Sequence, residues 1–524
     1  MFRYLIAALV FLTIHARAER PNILFIMSDD HAAHALSCYG SKVNETPNLD
    51  RIAKAGTRFT NAFVTNSICT PTRATLLTGK YSHLNGVPVF NQFDGSQQTV
   101  SKLLQAAGYH TGMIGKWHLG SDPTGFDRWM VLPGQGAYVN PQFLVPGAKL
   151  TISGHCTDIT GELGIQFLET RPKEKPFFLM LHYKAPHRPW LPAERHREQW
   201  KNKTVAEPET LFDDYATRPA ALPENAQTIA RHFTRNDLKL EPPADLKGPA
   251  RGKWLGESPE SMEITNTDGT KRTLTGKDLT RWKYQRYMQD YLACVQGVDE
   301  SVGAVLDYLE RTGLAKNTVV FYTADNGFYL GDHGLYDKRF MYEPGLHVPL
   351  MISGPGIKAG AVTDSFSLDM DLTSTFLDLA GEKAPADMQG HSLVPILHGE
   401  KPSDWRTAMY YRYYHDPGDH NTRAHMGVRT TTHKLLYFWK KDAYELYDLI
   451  ADPNELKNLA NDPKYADKLA EMKALLAKVK VEAKDDDRFA KGIADTTVEG
   501  GASEKKPLGS KTVAEAMALT GATP

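Results

Sequence analysis

Cysteine is scarce in this chain. Its 524 residues hold four, at Cys38, Cys69, Cys156 and Cys294. That excludes a disulfide-built scaffold, because such scaffolds are short and cysteine-dense. Net charge is nearly absent as well: 61 Lys and Arg against 62 Asp and Glu leave a formal −1. No global field therefore draws the chain to nucleic acid or to an anionic membrane, and an anionic substrate would need a local basic pocket. Long apolar runs are missing after the first eighteen residues, so no stable membrane insertion is expected. Internal repeats are missing too.

The first eighteen residues stand apart. Arg3 gives a positive start, Leu5 to Ile14 is a short apolar run, and Ala16-Arg17-Ala18 ends in a small-x-small cleavage pattern. Residues 1–18 read as a signal peptide, with a mature chain from about residue 19 that is secreted or periplasmic. Composition is otherwise that of a globular protein, and the length allows two or more domains.

Strand and helix signals alternate along the first 400 residues, as in an α/β fold. Asn22 to Ser28 is a continuous apolar run, suited to a strand buried on both faces. It ends in Asp29-Asp30. Thr318 to Thr323 is a second such run and leads to Ala324-Asp325-Asn326-Gly327. Carboxylates at the C-terminal ends of buried strands lie where open α/β sheets place ligands. Four oxygen-bearing side chains without Cys or His clustering suit Ca²⁺ or Mg²⁺ better than zinc.

Between these strands lies Cys69-Thr-Pro-Thr-Arg73-Ala-Thr-Leu-Leu-Thr-Gly79. Pro71 fits the first turn of a helix and Gly79 its end. Cys69 then sits at a helix start, where free N–H groups favour an anion and lower a thiol pKa. Arg73 lies one turn on, facing the same point. Thr111 to Gly115 starts a strand that delivers Lys116 and His118, an anion-seeking group and a proton carrier two residues apart. The strand Pro176 to His182 runs into Lys184-Ala185-Pro186-His187-Arg188-Pro189, where the prolines hold His187 on a stiff loop. Lys338, downstream of Asp325, is a second cation. Taken singly, Cys69 reads as a buried structural cysteine, Lys116 and His118 as surface residues and His187 as an ordinary loop histidine; the combination does not.

The remainder sets the frame. Periodicity fades between residues 200 and 277, which read as an insertion near a pocket mouth. Leu279 to about Arg311 is one long helical pattern with a possible break at Gly297. Composition changes near Lys401: four short aromatic and β-branched runs between Tyr410 and Leu449 predict an antiparallel sheet, with a helix over Lys464 to Lys480 packed on it. This divides the mature chain into a main domain over 19–400, a C-terminal α/β subdomain over 401–485, and a loosely ordered tail over 486–524.

The Cys-Thr-Pro-Thr-Arg core resembles the signature of type I sulfatases. So do Asp29-Asp30, Gly-Lys-Trp-His-Leu-Gly, the Ala-Pro-His loop and Asp-Asn-Gly with its downstream Lys, in the same order. The resemblance covers the mature chain to about residue 485. It implies an alkaline-phosphatase-like α/β sandwich: a large, mostly parallel central sheet flanked by helices, with a smaller C-terminal antiparallel sheet. It also implies that a maturation enzyme converts Cys69 to formylglycine, hydrated to a gem-diol. Asp29, Asp30, Asp325 and Asn326 would bind Ca²⁺ together with residue 69. Arg73 would hold the group at position 69, Lys116 and Lys338 would neutralise sulfate oxygens, His187 would protonate the leaving alcohol, and His118 would take the proton from the second hydroxyl. With Cys69 modified, at most one disulfide could form among the rest.

The stretches around Gly125, Leu132 and Phe328 to Glu343 are similar to bacterial carbohydrate sulfatases, most of all the N-acetylglucosamine-6-sulfatase branch. A sulfated sugar is the substrate implied, with Asp337, Arg339 and His425 as candidate sugar contacts. Glu343-Pro344-Gly345-Leu346-His347 departs from relatives that carry a second acid and an Arg there. Two alternatives stand beside this reading: a phosphonate or phosphate ester hydrolase of the same superfamily, and a non-catalytic carbohydrate-binding relative.

Overall fold

The computed structural model describes residues 20–218, 221–265, 268–493 and 505–520. The leader expected over residues 1–18 lies outside the described residues. An eleven-stranded sheet forms the centre. Its middle strands are Thr318–Ala324, Asn22–Ser28, Phe177–Tyr183, His110–Lys116 and Arg128–Leu132, in that spatial order and all parallel. Antiparallel strands Leu350–Ser353 and Gln142–Val145 flank this block.

The apolar runs are strands because both of their faces are covered. Leu24 and Ile26 join one core, with Tyr291, Val298 and Val302 of the helix Gly276–Arg311. Ile23, Phe25 and Met27 point the other way, onto Leu76, Leu77 and Phe376. Alternation along one strand thus fills two layers. The long helix runs unbroken through Gly297. A Cβ there would stand 3.3 Å from His196 Nδ1, so this glycine serves close packing and not a kink.

Beside the main sheet stands a four-stranded antiparallel sheet of Ala408–Tyr413, His425–Thr430, His433–Phe438 and Ala443–Asp448. The helix Ala466–Glu482 buries Met472, Leu476 and Val479 against it. No helix among the described residues is long and apolar enough to cross a membrane.

The expectation of a loose tail over 486–524 needs correcting for its described part. Lys506–Lys511 adds a parallel strand to the edge strand Ala148–Ile152. Val513–Ala518 is a helix that buries Ala516 and Met517. Its start is a capping box, with Thr512 and Glu515 satisfying each other's backbone N–H groups. Composition hid this short apolar signal among Gly, Ala and Lys.

Glu445 is buried on the strand Ala443–Asp448, accepting from the Tyr342 hydroxyl at 2.7 Å and from Tyr447 at 2.8 Å. Burial lifts its carboxyl to about 7, against the pull of Tyr342 and Arg218. The folded chain therefore holds this proton more tightly than the unfolded one. The resulting stability is complete below the ordinary carboxylate range and is lost as pH rises through about 7. Glu445→Gln should flatten this slope, raising the thermal midpoint at pH ~8 relative to wild type and not at pH ~4. Thermal unfolding at the two pH values checks it; parallel shifts at both would contradict it.

Candidate active site

The strand register assembles the site. Ser28 lies beside Ala324 on one side and Tyr183 on the other, so the chain leaves three adjacent strands at one edge. Asp29, Asp30, Asp325, Asn326, Lys116 and His118 arrive there, all buried. The helix Cys69–Thr78 enters from the next layer, with Ile68 as its cap and every residue buried. It starts at Cys69 itself, with Pro71 in its first turn.

Asp29, Cys69 and Asp325 bring one ligand atom each within 4.8 Å of one another, and Asp29, Asp30 and His187 do the same. Asp29 Oδ1 and Asn326 Oδ1 are buried without any hydrogen-bond partner. Burial, together with the Asp29 charge, lifts Asp325 to about 6. Burial also lifts Asp30 to about 7, although Lys338 pulls it down. Burial works to raise Asp29 as well, but Lys116, Arg73 and Lys338 outweigh it and hold this carboxyl well below the usual range. Crowded carboxylates with orphaned oxygens are what a hard divalent cation needs, and a cation would lower those raised values. The residues present therefore fit Ca²⁺.

Lys116 Nζ donates to Asp29, and Lys338 Nζ to Asp30. Arg73 is held by Asp325, through Nη2 at 2.7 Å and Nε at 3.1 Å, and its Nη1 donates to the Lys116 carbonyl at 2.6 Å. Arg73 thus fixes a ligand carboxylate and the strand end that carries Lys116. His118 Nδ1 stands 3.2 Å from Cys69 Sγ. His187 Nε2 stands 3.7 Å from Asp30 Oδ2. Burial, then Lys116, holds both imidazoles well below their usual range. The helix start was expected to lower the Cys69 thiol pKa. Instead, burial pushes it up, against the pull of Lys116 and Lys338. An unmodified Cys69 is thus no ready thiolate.

Asp30, Cys69, His187 and Lys338 floor a cavity of about 340 Å³, with the rest of the cluster buried behind them. Its wall holds Asp337 and Arg339 as expected, and also Gln135, Arg188, Asp419 and His420, which sequence reasoning had not singled out. The wall is internally paired. Arg339 Nη1 meets Asp337 at 2.8 Å and its Nη2 meets Asp419 at 3.1 Å. His420 Nε2 is 2.8 Å from Asp337, and Arg188 pairs with Asp237 at 2.6 Å. Asp237 belongs to the insertion over 200–277, whose first part backs this wall: the Tyr336 hydroxyl donates to the His232 carbonyl, and Ala226 N–H to that of His420. Asp30, His118, Asp337, Arg339 and His420 all have φ between 53° and 92°, a region non-glycine residues seldom occupy.

His425 does not reach the cavity. It stacks between Phe340 and Tyr411, its Nε2 accepts from Met341 N–H at 3.1 Å, and its Nδ1 donates to the Arg423 carbonyl. Sitting on a strand, it points into an aromatic core. His420, on the preceding turn, takes the wall position. A His in a Gly-Asp-His-Asn turn was the available signal.

The family model described as "Sulfatase" matches residues 21–382, and one described as "N-sulphoglucosamine sulphohydrolase, C-terminal" matches residues 331–482. An N-acetylglucosamine-6-O-sulfatase of Bacteroides thetaiotaomicron is 45% identical over 90% of this chain and 88% of its own. The human N-acetylglucosamine-6-sulfatase is 27% identical, covering 87% of this chain and 84% of its own. A chain solved in complex with its substrate, D-glucosamine-2-N,6-O-disulfate, superposes with a TM-score of 0.84 at 44% identity, over 90% of this chain and all of that one. A phosphonate monoester hydrolase of Agrobacterium radiobacter shares the fold, at 22% identity and a TM-score of 0.68 over 88% of this chain and 96% of its own. With a family model spanning most of the chain and a relative this similar along nearly all of it, the chain belongs to the sulfatase family and is a sulfuric ester hydrolase.

Proposed function

We propose that this chain removes a sulfate ester from the 6-position of N-acetylglucosamine, or from a related unit of a sulfated polysaccharide. On this reading Cys69 is converted to formylglycine by a maturation enzyme. Asp29, Asp30, Asp325 and Asn326 hold Ca²⁺ with residue 69, and the enzyme works outside the cytoplasm. The supporting observation is a buried carboxylate cluster with orphaned oxygens that meets, through Asp30 and Cys69, a cavity with a charge-balanced wall. The first suits a cation and a sulfate; the second suits the hydroxyl groups of a sugar more than a second anion.

When present, the hydrated aldehyde supplies an oxygen nucleophile and the cation stabilises negative charge. The chain's own residues do the rest. Lys116 and Lys338 rest on Asp29 and Asp30. Asp29 and Asp30 would hold the cation, and the two ammonium groups would neutralise sulfate oxygens. Neutral His118, beside position 69, accepts a proton from the group there. His187 is neutral in the free pocket; an anionic ester beside it favours its protonated form, from which it donates to the leaving alcohol. Asp337, Arg339, His420 and Asp419 orient the sugar.

A panel of defined sulfated saccharides beside an aryl sulfate and an aryl phosphonate tests this reading. N-acetylglucosamine-6-sulfate should be among the best substrates. A dominant phosphonate rate would sink the sulfatase assignment. Arg339→Ala should lower kcat/KM on the saccharide sulfate by about 10- to 100-fold and on the aryl sulfate by less than about threefold. Equal losses on both would remove Arg339 from the sugar site.

A further inference from the structure

Lys184 is a cation that the mechanism above leaves unused. It follows the strand Phe177–Tyr183, is only 2% exposed, and forms no ion pair among the described residues. Its Nζ donates to the Gln135 carbonyl at 2.8 Å and stands 4.9 Å from the centre of the Tyr138 ring. An ammonium buried without a carboxylate is costly, so it is kept where it holds something in place. What it holds is the turn over residues 133–138. The Tyr138 hydroxyl ties the same turn to the His187 carbonyl at 2.6 Å. The turn is tight: Gly134 and Gly136 both have positive φ, and a Cβ on Gly136 would meet the Leu132 side chain at 2.8 Å.

The result is a side chain placed between two glycines at the cavity. Gln135 lines the cavity, and its Oε1 accepts from Lys116 Nζ at 2.6 Å. An ammonium offers only donors, so the oxygen end of the carboxamide must face Lys116. The NH₂ end is then the one left for a ligand. Lys116 is also the residue assigned to sulfate, so that NH₂ group stands beside the sulfate position.

Resting on the sulfatase reading above, we propose that Gln135 is a further catalytic residue, donating its amide N–H to a sulfate oxygen, and that Lys184 is the positioning residue that sets it there. Gln135 shares Lys116 with the sulfate and adds a neutral donor to a site otherwise built of charges. Because it touches sulfate and not sugar, its loss should be felt on every sulfate ester.

The test measures kcat and KM of the matured, calcium-loaded enzyme on an aryl sulfate and on N-acetylglucosamine-6-sulfate. Gln135 is exposed, so Gln135→Ala should fold normally. It should lower kcat/KM by about 100-fold on both substrates, mainly through kcat. Gln135→Glu, which turns a carboxylate toward the sulfate, should lose more. Lys184→Met should match Gln135→Ala, and the double variant should lose no more than about threefold beyond either, because the two act as one unit. The role is overturned if Gln135→Ala stays within twofold of wild type, if its loss is confined to the sugar substrate, or if the two losses multiply. Should Lys184→Met fail to fold, the two Gln135 variants decide alone. A wild-type enzyme that cleaves neither sulfate overturns the sulfatase reading itself; one that cleaves both while Gln135→Ala equals it overturns only this role.

Discussion

Cys69→Ala is expected to cost about 10⁵-fold in sulfate-ester turnover while leaving the fold intact. Cys69 is 1% exposed, caught between the carboxylate cluster and His118, and its side chain is small. Removing one sulfur opens only a slight cavity, so the thermal midpoint should move little. Catalysis has no substitute at that position. The nearby hydroxyl of Thr70 contacts the same His118 nitrogen at 3.2 Å, but it is a secondary alcohol and cannot become an aldehyde. Cys69→Ser should be nearly as inactive, since a serine ester of sulfate could be released only by a second attack on sulfur. Wild-type activity should track the fraction of position 69 that peptide mass spectrometry finds as aldehyde. Full turnover by a chain whose Cys69 is unmodified would exclude the formylglycine route.

Asp325→Asn should be the second most damaging change, lowering kcat/KM by about 10³-fold. Asp325 does three things at once. It offers an oxygen to the cation cluster, it binds Arg73 through two nitrogens, and it accepts from Asp30 N–H at 3.1 Å. Neutralising it leaves Arg73 buried with weaker compensation, a loss of about 3 kcal/mol by analogy with broken buried pairs. The decisive reading is not activity. Calcium should raise the wild-type thermal midpoint by mass action, and the variant should lose most of that rise. A variant that keeps the full calcium-dependent rise would take Asp325 out of the ligand set.

Much of the catalytic floor was legible because buried strands are written as unbroken apolar runs. Where Asn22–Ser28 and Thr318–Ala324 end, the acids stand out, and parallel pairing then makes them neighbours. The Cys-x-Pro-x-Arg helix carried its own signal. The wall was harder to read. Asp337 and Arg339 line the cavity, but His425 does not, because its place on the strand turns it into the aromatic core, and His420 of the preceding turn lines the cavity instead. Lys184 and Gln135 gave no local sign. One looks like any loop lysine and the other like any turn residue, and their meaning lies in a contact between segments some fifty residues apart. The tail escaped notice because its strand is stabilised by a partner edge and not by its own composition.

The left-handed backbone at Asp30, His118, Asp337, Arg339 and His420 bears on how this enzyme can be engineered. Each such residue costs on the order of 1 kcal/mol or more, so the five together hold back roughly as much free energy as the lower end of a domain's net stability. A library selected for heat resistance alone will find relief at these positions, most readily through glycine or asparagine. It will yield sturdier and silent proteins. Thermostabilised variants meant to keep turnover need these five positions fixed, with improvements sought elsewhere in the fold.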